Sequence, residues 1–219
     1  MTEIIPAILT NDVSDFRHKY SELFGLSHYF TKLHIDFIDG DFLPGKTFEI
    51  KEMVGFKSPL TMIAHLMVNN PKDYFEDAKK AGFKYVTFHF EAFEHLEDVD
   101  VTIKAARDLD LNVGLAINPE TKLYEAGKFL SKVDMVQLMS VHPGSQGRPF
   151  EISTFDKIKE LRKLIPSVII CIDGGIKVEL VRGCVLAGAN WLVAGSAIWQ
   201  TDNQKMAIQA LQAESEIQK

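Results

Sequence analysis

His34 and Asp36 stand two residues apart in "HIDFIDG" (34–40), inside a run that also holds Ile35, Phe37 and Ile38. In a β-strand, positions i and i+2 share a face, so the imidazole and carboxylate point one way while Leu33, Ile35 and Phe37 point the other. Burying an unpaired charge is costly, so the pair needs a partner, a hydrogen bond or a metal ion. Similar groups interrupt later apolar runs: His65 in "AHLMV", His89 in "FHFEA" and Asp173 in "CIDGGI". Each alone reads as a core residue bonded to a carbonyl. What they do together depends on the elements that carry them.

Apolar, β-rich runs recur eight times: "IIPAIL", "FTKLHIDF", "TMIAHLM", "KYVTFHF", "NVGLAIN", "DMVQLMS", "SVIICID" and "NWLVAGS". The segments between them have helix periodicity, as in "DVSDFRHKYSELFG" from Asp12 and "NPKDYFEDAKKAG" from Asn70, the latter with an N-cap Asn and Pro71 at the first helical position. Gly82 and Gly188 follow helices where a left-handed cap is expected. Strands alternating with helices imply parallel pairing and right-handed crossovers, and eight units predict a closed (β/α)8 TIM barrel over residues 1–219 as one α/β domain. An open doubly wound sheet is disfavoured, because "PAILTNDVSDF" after the first strand lacks the glycines of a dinucleotide fingerprint.

In such a barrel the site lies at the C-terminal ends of the strands, where His34, Asp36, His65, His89 and Asp173 converge. Two neutral imidazoles and two carboxylates suit a divalent Zn, Fe, Mn or Co ion, whose charge lets His34, Asp36, His65 and Asp173 stay buried together. Glycine-rich turns follow three late strands: "VHPGSQG" from Val141, "DGGI" from Asp173 and "AGSAI" from Ala194. Backbone N–H groups in turns of this kind, at this end of a barrel, hold phosphate.

Composition narrows the partners. The 219 residues carry a formal net charge of −6, which argues against nucleic acid and anionic membranes and leaves small anions held by local donors. The longest apolar runs are strand-length and too short to span a bilayer, and "MTEIIPAILT" does not read as a signal peptide. Cys171 and Cys184, without paired spacing, read as reduced thiols of a cytoplasmic protein.

Several of these segments together resemble the ribulose-phosphate 3-epimerase family. The family's HxDxxDG is here "HIDFIDG" followed by "FLPG"; its HLMV is His65 to Val68; its LMSVxPG is "LMSVHPG" from Leu138; and its VDGGI is "IDGGI". "INPET" from Ile117 resembles LNPxT, and "AGANWLVAGSAIW" resembles AGAxxxVAGSAxF. The resemblance implies a divalent metal, zinc among the candidates, held by His34, Asp36, His65 and Asp173. It further implies inversion at the third carbon of a ketopentose 5-phosphate in the pentose phosphate pathway. Asp36 and Asp173 would exchange acid and base roles across an enediolate. Met67 and Met139 would cover the intermediate, and Gly144, Gly147, Gly174, Gly175, Gly195 and Ser196 would hold the phosphate. His89 would stand behind the ligands. A homo-oligomer stays open.

Three departures bear on the substrate. "PAILT" puts Ala7 where the family's PSILS has a serine, Ile38 replaces a methionine, and "HPGSQGR" replaces NPGFGGQ, adding His142 and Arg148. None removes a ligand, an acid or a base. They make a ketohexose 6-phosphate, as in allulose-phosphate epimerases, one alternative and a barrel that only binds metal or sugar phosphate another. The DxKxxD arrangement of the orotidine and ketogulonate phosphate decarboxylases has no counterpart near the barrel ends.

Overall fold

A computed structural model describes residues 2–143 and 149–216. Eight parallel strands close into a barrel in sequence order: β1 (Glu3–Ile8), β2 (Lys32–Ile38), β3 (Thr61–Met67), β4 (Tyr85–His89), β5 (Asn112–Ile117), β6 (Met135–Met139), β7 (Ile169–Asp173) and β8 (Trp191–Ala194), which pairs back onto β1. Around them run α1 (Val13–Phe24), α2 (Phe75–Lys80), α3 (Leu96–Asp108), α4 (Leu123–Leu130), α5 (Thr154–Leu164), α6 (Val178–Ala187), α7 (Ser196–Trp199) and α8 (Gln204–Ser215). All eight strand readings fall on observed strands, the third with the same bounds. This is the (β/α)8 barrel.

Two local expectations change. The β2–β3 connection carries a short 3₁₀ helix, Ile50–Met53, and no α-helix. Its chain is broken by Pro44, Pro59 and three glycines at positive φ, Gly40, Gly45 and Gly55, which continuous helical geometry does not accommodate. Pro71 opens a 3₁₀ turn (Pro71–Tyr74) ahead of α2, and Asn70 donates its side-chain amide to Asp73 at 2.7 Å instead of capping the turn's backbone. Asp12 does cap α1, accepting from the amides of Ser14 and Asp15, and Gly188 ends α6 in the left-handed conformation.

Strand alternation builds two apolar layers. Leu33, Ile35 and Phe37 point outward into the main core, where Phe37 packs edge-on against Phe48 and Phe83 at 5.5 and 5.8 Å. Inside the barrel, Ile5, Ile63, Met135, Cys171 and Val193 form a separate buried cluster beneath the polar residues. At the N-terminal end Tyr85 meets Trp191 at 5.4 Å, Lys32 lies over the Trp191 ring at 4.9 Å, and Glu3 pairs with Lys32 at 2.5 Å. That end is plugged.

Gly114 faces this interior. A methyl group there would stand 2.4 Å from Thr87 Oγ1 and 2.6 Å from Met135 Cε, closer than packed atoms allow. Gly114→Ala is therefore expected to destabilise the barrel by about 1–3 kcal/mol, the usual cost of overpacking, read as a lower urea midpoint.

Candidate active site and family

Parallel pairing of β2 with β3 sets Asp36 beside His65, and strand alternation puts His34 on the same inward face as Asp36. Asp173 ends β7 across the mouth. Each of His34, Asp36, His65 and Asp173 offers a ligand atom, and these four atoms lie within 4.8 Å of one another. His65 Nδ1 is 2.9 Å from Asp36 Oδ1 and 3.4 Å from Asp173 Oδ2; His34 Nδ1 is 3.6 Å from Asp36 Oδ1. Both histidines are fully buried.

Gln137, which the sequence reading passed over, joins the two sides. It lies on the inward face of β6, where its Oε1 is 3.3 Å from His34 Nε2 and its Nε2 donates to Asp173 Oδ2 at 2.9 Å. With the amide oriented so, His34 carries its proton on Nε2 and is left with a lone pair on Nδ1. That atom is buried and has no hydrogen-bond partner. An orphaned imidazole lone pair 3.6 Å from the Asp36 carboxyl, in a cluster that His65 and Asp173 complete, fits a divalent cation.

The electrostatics agree. Burial holds His34 down at about 4 and His65 well below the ordinary imidazole range, so both are neutral donors at neutral pH. Burial raises Asp36, and burial followed by the Asp36 charge raises Asp173 well above the carboxylate range. Both carboxyls therefore hold a proton more tightly than free ones, and a cation competes with protons for the cluster. Affinity for Zn²⁺ is expected to rise with pH above the ordinary carboxylate range, through loss of aspartate protons, because the histidines are already neutral there. Chelator competition across pH, with proton release followed in weak buffer, checks this.

Above the cluster opens a cleft that Asp36, His65 and Asp173 help to line. Met67 and Met139, both nearly buried, line it, as do Gly174, Gly175, Gly195 and Ser196. Ala7 is on its wall; Ile38 faces the neighbouring groove with Thr47 and Phe48. Gly174, at φ 112°, abuts Val141: a Cβ would fall 2.4 Å from Val141 Cγ2, so only glycine lets the β7 turn close against β6. Ser140 tethers the same turn by donating to the Asp173 carbonyl at 3.0 Å. His142 is exposed and lies 3.7 Å from Glu120. Gly144, Gly147 and Arg148 lie outside the described residues.

A closed parallel barrel with a two-histidine, two-aspartate cluster under an open cleft at its C-terminal mouth defines an enzyme of the (β/α)8 class with a site suited to a divalent metal. The ribulose-phosphate 3 epimerase family model matches residues 3–199. A ribulose-phosphate 3-epimerase of Serratia marcescens is 37% identical over 183 residues, covering 79% of this chain and 85% of its own. One of Schizosaccharomyces pombe is 31% identical over 214 residues, covering 95% and 92%. Among solved structures, KGPDC from Streptococcus mutans superposes with a TM-score of 0.75 at 11% identity over 99% and 98% of the two chains, a likeness of fold alone. The chain belongs to the ribulose-phosphate 3-epimerase family and is an isomerase. No helix among the described residues is long and apolar enough to cross a membrane.

Proposed function

We propose that the chain interconverts D-ribulose 5-phosphate and D-xylulose 5-phosphate, with Asp36 and Asp173 as the acid and base. The observation that carries this reading is the placing of two carboxylates, both raised by burial, at the mouth of one cleft. Two close carboxyls that repel each other's charge hold one proton between them, which leaves one as acid and the other as base. One aspartate removes the proton from the third carbon on one face of the sugar, and the other returns a proton to the opposite face. In the reverse direction their roles exchange.

His34, Asp36, His65 and Asp173 would hold a divalent cation; Zn, Fe, Mn and Co all suit these donors. When bound, it supplies positive charge that stabilises the negative charge developing on the substrate oxygens. Met67 and Met139 cover the reacting carbon with polarizable apolar surface and keep water from it. The turns at Gly174, Gly175, Gly195 and Ser196, together with Gly144 and Gly147, hold the phosphate and so position the third carbon between the aspartates. The chain acts as one cytoplasmic domain in carbohydrate metabolism.

A ketohexose 6-phosphate is the second reading, favoured by Ala7, whose small side chain leaves room on the cleft wall. Product analysis by NMR with ribulose 5-phosphate, allulose 6-phosphate and unphosphorylated ribulose is the deciding experiment. Fastest conversion of ribulose 5-phosphate to xylulose 5-phosphate, with the free sugar at least about a hundredfold poorer in kcat/KM, is expected from the contribution of phosphate binding. Preferred turnover of the hexulose, or equal turnover of free ribulose, overturns the assignment.

A further inference from the structure

We propose that Glu91 and His89 form a relay that fixes the tautomer of His65 and turns its Nδ1 lone pair into the four-residue cluster; both are positioning residues. The relay rests on the reading above that the cluster holds a divalent cation.

The geometry is a chain of three side chains running back from the site. His65 and His89 stack with ring centroids 5.0 Å apart, and their Nε2 atoms are 2.9 Å from each other. At that separation one nitrogen donates and the other accepts. The remaining nitrogen of His65, Nδ1, faces Asp36 and Asp173. The remaining nitrogen of His89, also Nδ1, faces Glu91 Oε2 at 3.4 Å, and neither of these buried atoms has a hydrogen-bond partner.

Both ends of the chain face a carboxyl, Asp36 at 2.9 Å from His65 Nδ1 and Glu91 at 3.4 Å from His89 Nδ1; a cation in the cluster takes up the Asp36 end, so the direction in the loaded site is set at Glu91, which as a carboxylate can only accept. With the proton of His89 on Nδ1, toward Glu91, its Nε2 accepts from His65 Nε2–H. His65 Nδ1 is then left with the lone pair that a cation requires. The opposite arrangement would set the Nδ1 lone pair of His89 against the Glu91 carboxylate.

Glu91 is itself held in place. Its Oε1 accepts the Asn118 backbone N–H at 2.8 Å, just past the end of β5. Lys157 on α5 fixes that loop by donating to the carbonyls of Asn118, Pro119 and Thr121 at 2.6, 3.2 and 2.6 Å. Burial pushes Glu91 up, but the polar groups facing it from His89, Thr121 and the Asn118 backbone outweigh it and hold the carboxyl below its ordinary range. The ring of Phe42, 5.2 Å from that of His89, packs beside the relay.

This arrangement makes Glu91→Gln informative without a change of shape. Because Oε1 is committed to the Asn118 N–H, the amide nitrogen falls at the Oε2 position and donates toward His89 Nδ1. His89 would then carry its proton on Nε2, in conflict with His65 Nε2–H. Long-range ¹H–¹⁵N NMR of the Zn²⁺-loaded protein is expected to show His89 protonated on Nδ1 in the wild type and on Nε2 in Glu91→Gln. Chelator competition is expected to show Zn²⁺ bound about 10- to 100-fold more weakly by Glu91→Gln and His89→Leu. His89→Gln, whose Oε1 can accept from His65 Nε2–H, should recover most of the loss. His89 protonated on Nε2 in the wild type overturns the relay, as does wild-type Zn²⁺ affinity in folded Glu91→Gln. If the wild type binds no Zn²⁺, the metal reading falls and the relay with it, whereas Zn²⁺ bound with His89 protonated on Nε2 overturns the relay alone.

Discussion

Asp36→Asn and Asp173→Asn are each expected to slow inversion at the third carbon by about 10²–10⁴-fold, the range that a positioned acid or base contributes. The informative result lies in what each variant retains. With a carboxylate on either face, turnover in heavy water places solvent deuterium at the third carbon of the inverted product. An asparagine on one face leaves the opposite carboxylate able to remove the proton, exchange it with solvent and return hydrogen to the same face. Each variant should therefore exchange hydrogen slowly with solvent without inverting the centre, and the two should do so from opposite epimers. A mechanism with a single base predicts that one variant loses both activities and the other neither. Metal content must be measured alongside, because each aspartate is also a proposed ligand. Metal-loaded wild type that transfers no deuterium into any ketose phosphate refutes the two-aspartate scheme.

Chelation is the second large effect. Protein stripped of divalent ions is expected to lose turnover to background, and Zn²⁺, Mn²⁺, Fe²⁺ or Co²⁺ should restore it. The prediction rests on the orphaned Nδ1 of His34 and on the raised carboxyls of Asp36 and Asp173. A cation turns four groups that are costly to bury into a compensated set. Stability should follow occupancy, because an ion that binds only the folded chain raises the unfolding midpoint with its concentration. Full activity in protein shown by elemental analysis to hold no metal would contradict the ligand assignment.

The strands were legible because each is buried on both faces and bounded by polar turns, so its apolar run stands out. The cluster of candidate ligands was legible for a related reason: a histidine or aspartate inside such a run has few explanations. The β2–β3 connection was harder to anticipate, since its helix-like stretch at Ile50–Met53 is short and set among glycines and prolines whose turn conformations have no period. Gln137 and Glu91 were missed for a different reason. A buried amide on one strand and a carboxylate just past another carry no pattern of their own. They matter through neighbours distant in the chain, His34 and Asp173 for one and His89 and Asn118 for the other. Those partnerships depend on how the barrel closes, a property of three dimensions.

The plug of Tyr85, Trp191, Lys32 and Glu3 gives the barrel a single doorway. Two epimers that differ at one carbon must then enter and leave by the same route, and neither can wait in a second compartment while the other departs. Every product molecule is a rival for the vacancy it has just created. Added product should consequently raise the apparent KM without changing the limiting velocity. Net flux would then be governed by whichever neighbouring reactions drain one sugar or replenish the other.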